Sequence, residues 1–505
     1  RDVIDVTIYA DYRRDRVGWF FGLAGWQVVV VALTLLPPVW ALNQQRWLLL
    51  LACLAAGAVV VTLAVVPIRG RSFVGWMGAV TKSGAGGALG WTRWRSKAAR
   101  GRVQDLDAPD LPGVLSGVAI HDGPPWGSGM ERTALIQHHP TKTWAVTAAV
   151  VHPGIGLCEN AERDRQGAGL GELLDVASRT ELVEEVLLMV RTVPEDGAER
   201  AEYVRRHRKP TAPALARQVN DELAVALTTA SVRTESFVTL VVSEARLARR
   251  AKQAGGGLDG RARELIALMG EFESHLRGGL GMTSVTWLTS PALAVACRTG
   301  FAPGDAAAIT AARSAADRGE AVNAEVPWAL AGPSGTDWAA RHYAHDAWHS
   351  ASVTLVLPER GAVMGALAPV LAPHEPGERR SLLIAYPILR AQQANRQSAN
   401  QEWAADLGAG LRSRMGVKLR AKQQQDLART QGLDVKLARG HSMVRPYAVA
   451  TVTVPRTRPI GTAATGLDAA VRQAGFAPLR LDLAHDAAFV ASSIPLGTSL
   501  TRGRG

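Results

Sequence analysis

VGWFFGLAGWQVVVVALTLL, from Val17 to Leu36, and WLLLLACLAAGAVVVTLAVV, from Trp47 to Val66, contain no charged side chain. Gln27 and Thr34 are the polar exceptions in the first run, and nothing in the second is more polar than Thr62. Each run is about 20 residues, which at about 1.5 Å per residue matches the roughly 30 Å hydrocarbon core of a bilayer. Buried helices of a soluble core rarely reach that length without a charge. The two runs, joined by a short loop that opens with Pro37-Pro38, therefore predict a membrane α-hairpin of two transmembrane helices.

The basic residues orient this hairpin. Arg13, Arg14 and Arg16 precede the first run, and only Arg46 lies in the loop between the runs. After the second come Arg69, Arg71, Lys82, Arg93, Arg95, Lys97, Arg100 and Arg102, with no acidic residue among them. Positive charge is retained on the cytoplasmic side, so both termini and everything after Val66 are expected inside a multi-pass protein of the inner or plasma membrane. Trp19, Trp40 and Trp47 sit near the run ends, where indole rings favour the headgroup layer. Arg69, Arg71, Arg93, Arg95, Lys97 and Arg100 are the expected contacts to anionic lipid. Nucleic acid is the competing use of a net charge of +12. It is not favoured, because much of the local positive excess sits beside the membrane exit.

At 505 residues the chain exceeds one ordinary domain, and 47% hydrophobic with 20% charged residues excludes wholesale disorder. Cys53, Cys158 and Cys297 are far apart, which excludes a disulfide scaffold and zinc-finger spacing. The chain starts at Arg1 rather than Met, which reads as a trimmed N-terminus. Three regions are expected: 1–102, the hairpin and its basic exit; 103–345, a cytoplasmic α+β domain; and 346–505, a helical hairpin plus a ferredoxin-like part. Strands are expected at 115–121, 133–138, 143–151, 236–243, 282–289 and 350–357. Helices are expected at 172–190, 212–229, 261–276 and near 303–317, with loop at 325–336. From Gly377 to Arg439 the Ala/Gln/Arg/Leu composition reads as polar helix. The last seventy residues read strand, helix, strand, strand, a ferredoxin-like half-fold. No internal repeat is evident.

Motifs are mostly missing. No lysine follows a glycine, so the Walker A core is absent and P-loop nucleotide hydrolysis has no chemical basis. No catalytic residue, cofactor or metal is assigned. Gly167-Ala-Gly-Leu-Gly171 resembles half a dinucleotide loop but follows a charged run instead of a strand. His342, His345 and His349 have helix-like spacing for a metal, with Asp346 where a zincin carries Glu. The run leads straight into a strand, so ordinary histidines are the preferred reading.

The YRRDR segment, the two runs and Arg69-Gly-Arg-Ser72 before a Trp-rich basic exit resemble the PrgI-type inner-membrane subunit of conjugative type IV secretion systems. Val449–Val454, the helix from Leu467 and Phe489-Val-Ala-Ser-Ser-Ile-Pro-Leu-Gly497 resemble the region before the motor of the VirB-type ATPase. The resemblance implies an ATPase-less membrane scaffold, not an enzyme, in a multi-subunit assembly with a separate hexameric ATPase and other membrane subunits. Phe489, Ile494, Pro495, Leu496 and Gly497 would be the docking surface for that ATPase, with the Gln/Arg segment from Gln392 to Arg429 second. The alternatives are an EccE-type component of type VII secretion and a membrane-anchored metal enzyme built on the histidine run.

Overall fold

The computed structural model describes residues 25–389 and 443–500, apart from 66, 69–70, 73–76, 78–79, 82–83, 88–92, 128, 156–157, 195–196, 231 and 359–360. The chain divides into two compact units. One comprises residues 1–10, 93–394 and 436–505, and the other residues 11–92 and 395–435.

In the smaller unit, α1 (Gly25–Asn43) and α2 (Trp47–Val65) are joined by a turn at Gln44-Gln45-Arg46, and β1 (Pro67–Ile68) pairs with β2 (Arg71–Ser72). The expected pair of spans becomes one among the described residues. Only Trp47–Ala64 is long and apolar enough to cross a membrane. The Pro-Pro pair does not turn the chain: Pro37 and Pro38 lie inside α1, which runs on to Asn43. Its apolar portion, Ala32–Asn43, is short, and residues 17–24 of the first run lie outside the described set.

The larger unit overturns the expected fold class. It is built on one thirteen-stranded antiparallel sheet, not on a small α+β domain followed by a ferredoxin-like one. Its first strands are β3 (Trp94–Arg95), β4 (Val118–Trp126), β5 (Glu131–His138) and β6 (Thr143–Val151). The helix α3 (Asn160–Arg179) leads to β7 (Val183–Pro194). Two helices, α4 (Ala198–His207) and α5 (Ala214–Ala230), precede β8 (Val232–Ser243). Then come α6 (Glu244–Ala251), α7 (Gly257–Gly278), β9 (Ser284–Trp287), α8 (Ser290–Phe301) and α9 (Ala306–Asp317).

The second half begins with the short α10 (Trp328–Ala331) and continues through β10 (Gly335–Asp337), β11 (Tyr343–His345) and β12 (Trp348–Val356). It runs on through α11 (Ala368–Leu371), β13 (Arg379–Pro387), β14 (Tyr447–Pro455), α12 (Ile460–Gln473), β15 (Ala477–Arg480) and α13 (His485–Ser493). The order across the sheet is β3-β10-β11-β12-β14-β13-β7-β8-β6-β5-β4, with β15 added to β12 and β9 to β6.

This order is a palindrome about the β7–β13 pair. Outward on one side lie β8, β6, β5 and β4; on the other lie β14, β12, β11 and β10. β9 extends the β5 side of β6 as β15 extends the β11 side of β12. Each of these late strands is followed by a helix on the same face, α8 or α13. The sheet is thus an internal duplication around an approximate two-fold axis through the Met189–Leu383 pair. The ladders put His138 in the place of His345, Thr147 in that of Ser352 and Thr239 in that of Thr451. No repeat was legible because the halves share little beyond this polar skeleton. Val232-Arg233 at the start of β8 and Val444-Arg445 just before β14 are its main trace.

Both faces are covered. Over the first half, Leu173 of α3, Leu247 of α6 and Phe272 of α7 bury against Val186 and Leu240. Over the second, Val370 of α11 and Leu467 of α12 bury against Leu382 and Val452. On the opposite face Leu293 and Phe301 of α8 and Phe489 of α13 pack on Leu187, Val241, Leu383 and Val449. Strands buried on both sides read as continuous apolar runs, which period alone does not separate from helix. That explains two misreadings. The helix expected at 172–190 ends at Arg179, and Val183 onward is β7. The polar helix expected from Gly377 starts as β13, and the rest, including Gln392 to Arg429, falls largely or wholly on residues 390–442, outside the described set. The last expected strand, from Phe489 to Leu496, is mostly α13.

The glycine cluster 167–171 lies inside α3, where it lets two helices touch. A Cβ on Gly169 would lie 2.2 Å from the Gly279 carbonyl oxygen at the end of α7, whereas one on Gly171 would meet nothing within 4 Å. Gly169→Ala should therefore lower unfolding stability by about 2 kcal/mol through overpacking, and Gly171→Ala should not. Denaturant unfolding of the two variants checks this, and equal effects would remove the close approach as the reason for the glycine.

Candidate interaction sites and the buried polar seam

The segment expected to dock a partner is interior. Phe489, Ile494 and Leu496 are 0% exposed, and Pro495 and Gly497 are buried with them. A row of cross-strand neighbours explains why. Ser352, Thr451, Ser381, Arg191 and Glu235 stand opposite one another on five consecutive strands, from β12 to β8. The α13 helix lies over this row. Ser492 Oγ accepts from Thr451 Oγ1 at 2.7 Å while donating to the Ala488 carbonyl. Ser493 Oγ shares a hydrogen bond with Ser381 Oγ at 2.8 Å, and its carbonyl accepts from Arg191 Nη1 at 3.0 Å.

Beyond the helix the chain crosses to the first half of the sheet. Thr147 Oγ1 donates to the Pro495 carbonyl at 3.0 Å, and the His138 ring bonds the Leu496 carbonyl. Gly497 adopts φ +78°, and a Cβ there would lie 2.8 Å from that of Ala145. The end of α8 crosses the other way, with Phe301 against His345 and Phe489 at centroid distances of 6.1 and 5.6 Å.

Two arginines complete the seam. Arg191 is 1% exposed and donates to Glu235 at 2.6 Å, to the Ala296 carbonyl and to Thr299 Oγ1. Arg379 is fully buried and donates to the Thr299 carbonyl at 2.9 Å and to Thr453 Oγ1, with Nε left unpartnered. Burial, then the Arg191 charge, depresses its pKa to about 9. Cys297, buried beside them, has its thiol pushed up to about 12 by desolvation and is unreactive at neutral pH.

The three histidines of the metal-like run do not share a helix face: His342 precedes β11, His345 ends it and His349 lies on β12. His345 pairs across β11–β12 with Trp348 while His349 pairs with Ala344, so His345 and His349 lie on opposite faces of the sheet. His345 is buried and its Nε2 meets Ser350 Oγ at 2.8 Å. The His342 and His349 rings lie 4.6 Å apart, tilted at 52° to each other. Among the described residues no group of three His, Cys, Asp or Glu side chains is arranged to hold a metal ion.

The basic exit divides in the same way. Arg95 sits on edge strand β3 and is committed to the sheet, donating to Asp337 Oδ1 at 2.8 Å and the Thr336 carbonyl at 3.0 Å. Its guanidinium holds Asp337 below the usual carboxylate range. Arg93, Lys97 and Arg100 are exposed, while Arg69 and the side chain of Arg71 lie outside the described set. Of the run limits, Leu36 and Trp47 are exposed on their helices, at 62% and 66%, and Val17 and Val66 lie outside the described set. Beside Ser96 and Ala98 opens a cavity of about 600 Å³, lined also by Ile309, Ala312, Pro327 and Leu330. Nothing in the sequence had marked it, since its walls come from segments more than two hundred residues apart. Compared with known proteins, the chain matches no family model and no curated protein.

The seam makes stability fall in acid. Burial depresses His485 from 6.5 to about 4, against the pull of Asp482, while its Nδ1 accepts from the Ser352 amide at 3.0 Å. His345 lies well below 6.5 for the same reason, with Arg379 adding to the effect. A depressed histidine binds its proton more readily when unfolded, so stability is full above 6.5 and is lost as pH falls towards 4. The loss for His485 alone is on the order of 3 kcal/mol. Denaturation midpoints measured down this range should drop, and less so in His485→Gln; a flat profile would contradict the burial. Ending the chain at Ala488 should abolish folding of the sheet domain as read by circular dichroism, because the seam loses its cover.

Proposed function

We propose that this chain is a membrane-anchored scaffold, and that the machine it serves is of the conjugative type IV secretion kind. The Trp47–Ala64 helix carries the reading. Leu48, Leu51, Leu54 and Val59 along it are 86%, 63%, 48% and 59% exposed, an apolar surface that water does not tolerate and lipid does. The exposed Arg93, Lys97 and Arg100 follow the helix in sequence, which favours a cytoplasmic position for the sheet domain by charge retention and gives those side chains anionic headgroups as partners.

Secretion is supported by the sequence resemblance, now with a changed structural meaning. Val449–Val454 is the middle of a duplicated sheet, and Phe489–Gly497 is its cover. The exit therefore holds the scaffold together and is not assigned to docking. A separate hexameric ATPase and other membrane subunits remain the partners, engaged through the exposed surface of the sheet domain. The metal-enzyme alternative loses its support, because the histidines it relied on face opposite sides of a hairpin. Nothing in the geometry favours the EccE-type alternative over the type IV one.

Two measurements test this. With native thiols replaced, Asn43→Cys should react with an impermeant thiol reagent from outside the cell and Lys97→Cys should not; the reverse pattern overturns the orientation. Full-length protein purified in mild detergent from its native membranes should carry a hexameric secretion ATPase. Recovery instead with type VII secretion pores, or extraction of the chain by alkaline carbonate, would refute the proposal.

A further inference from the structure

The structure assigns a second membrane contact to the tip of the α4–α5 helical hairpin: a peripheral foot that rests on anionic lipid. This inference rests on the anchored reading above, because it needs a membrane held nearby.

The hairpin interrupts the longest strand pair in the sheet. β7 and β8 are paired from Val183 with Val242 to Pro194 with Val232, and α4 and α5 lie in the chain between them. Nearly all of α5 that is described is exposed. Leu215, Val219 and Leu223, spaced to share one helix face, are 70%, 46% and 46% exposed, and Tyr203 of α4 is 64% exposed. Between Arg205 and Arg217 the chain carries five basic residues and no acid. Arg205 and Arg206 pair with Glu202, but Arg208, Lys209 and Arg217 are exposed and form no ion pair among the described residues. Asp221 and Glu222 of α5 line one surface pocket with Arg208 and Arg217, so the corner keeps a net positive charge with Lys209 and not a purely basic lining.

The tip is held in place, as a foot must be. Arg200 Nη2 donates to Asn220 Oδ1 at 2.7 Å, which ties α4 to α5. Arg206 reaches Asp317 at 3.5 Å and Arg318 reaches Glu202 at 3.7 Å, which tie α4 to α9. Tyr203 stacks on His207 at 4.1 Å. An aromatic ring, a leucine and unpaired cations at one rigid corner match the chemistry of the headgroup layer.

A second copy of the chain fits this corner less well. Three apolar side chains on one helix bury far less than a stable dimer needs. A lipid surface neutralises the exposed cations as well. Because one helix already confines the chain to the bilayer, even a weak foot would be occupied through its high local concentration.

The test uses full-length protein reconstituted into vesicles, with Cys53→Ser and Cys158→Ser and an environment-sensitive fluorophore on Leu215→Cys. In vesicles containing phosphatidylglycerol its emission should shift to the blue and be quenched several-fold more by spin-labelled lipid than in pure phosphatidylcholine. Arg208→Glu with Lys209→Glu, or high salt, should abolish the difference, while a label on exposed Leu258→Cys should stay water-like throughout. Water-like emission from Leu215→Cys in both vesicles overturns the foot while leaving the anchor standing, as carbonate-resistant retention of the chain would show. A blue shift without lipid quenching, but with energy transfer between copies, overturns it in favour of self-association. A chain that carbonate strips from the vesicles overturns both readings.

Discussion

Everything in the larger unit depends on the polar seam beneath α13. The hydroxyls of Ser381 on β13 and Thr451 on β14, together with Arg191 of β7, meet α13 through bonds that water cannot replace, because all of them are buried. An apolar interface at this place would tolerate sliding of the helix along the sheet. Directional bonds to Ser492, Ser493 and the Pro495 and Leu496 carbonyls fix both its register and where the chain leaves it. Leaving any of them unmade would strand a buried polar group, so the seam acts all together or not at all.

The same seam shows how the duplicated halves are joined. Hydrogen bonds between β7 and β13 alone would make a hinge along the axis. The exits of α8 and α13 close it by crossing to the opposite half, where Phe301 meets His345 and Leu496 meets His138. Gly300 is the point of closest approach, since a Cβ there would lie 2.5 Å from Ile494 Cδ1 and 3.0 Å from Arg191 Nη1. The axis is approximate in chemistry as well. Arg191 and Arg379 with Glu235 lie on one side, while Tyr447 donating to Glu185 at 3.1 Å lies on the other.

Strands with a wet face or a clear turn were readable from sequence. β5 and β6 are seen where strands were expected at 133–138 and 143–151, and α5 and α7 lie within a few residues of expectation. What failed was the reading of doubly covered segments. Val183–Val190 and Leu382–Ala385 present apolar residues to both faces, and no local pattern separates such a strand from a helix. The candidate sites failed for a different reason. An apolar segment near the end of the resemblance was read as an exposed surface, but its fate was set by Ser, Thr and Arg side chains on strands up to three hundred and fifty residues away.

The seam also limits how this protein can engage anything else. The exit of α13 is hydrogen-bonded into both halves of the sheet, so a partner that strand-exchanged with it would have to unpick the core. Edge strands are poor hosts too: among the described residues β3 is two residues long, and the opposite edge, β4, is broken by a bulge between Asp122 and Pro125. Contacts made through side chains on an intact scaffold are what such an architecture permits. The helical hairpin at the β7–β8 end meets that condition, because its ion pairs reach Asp317 of α9 and the adjacent Arg318 and involve no part of the seam. Such contacts leave every buried bond of the seam in place, which a strand exchange would not.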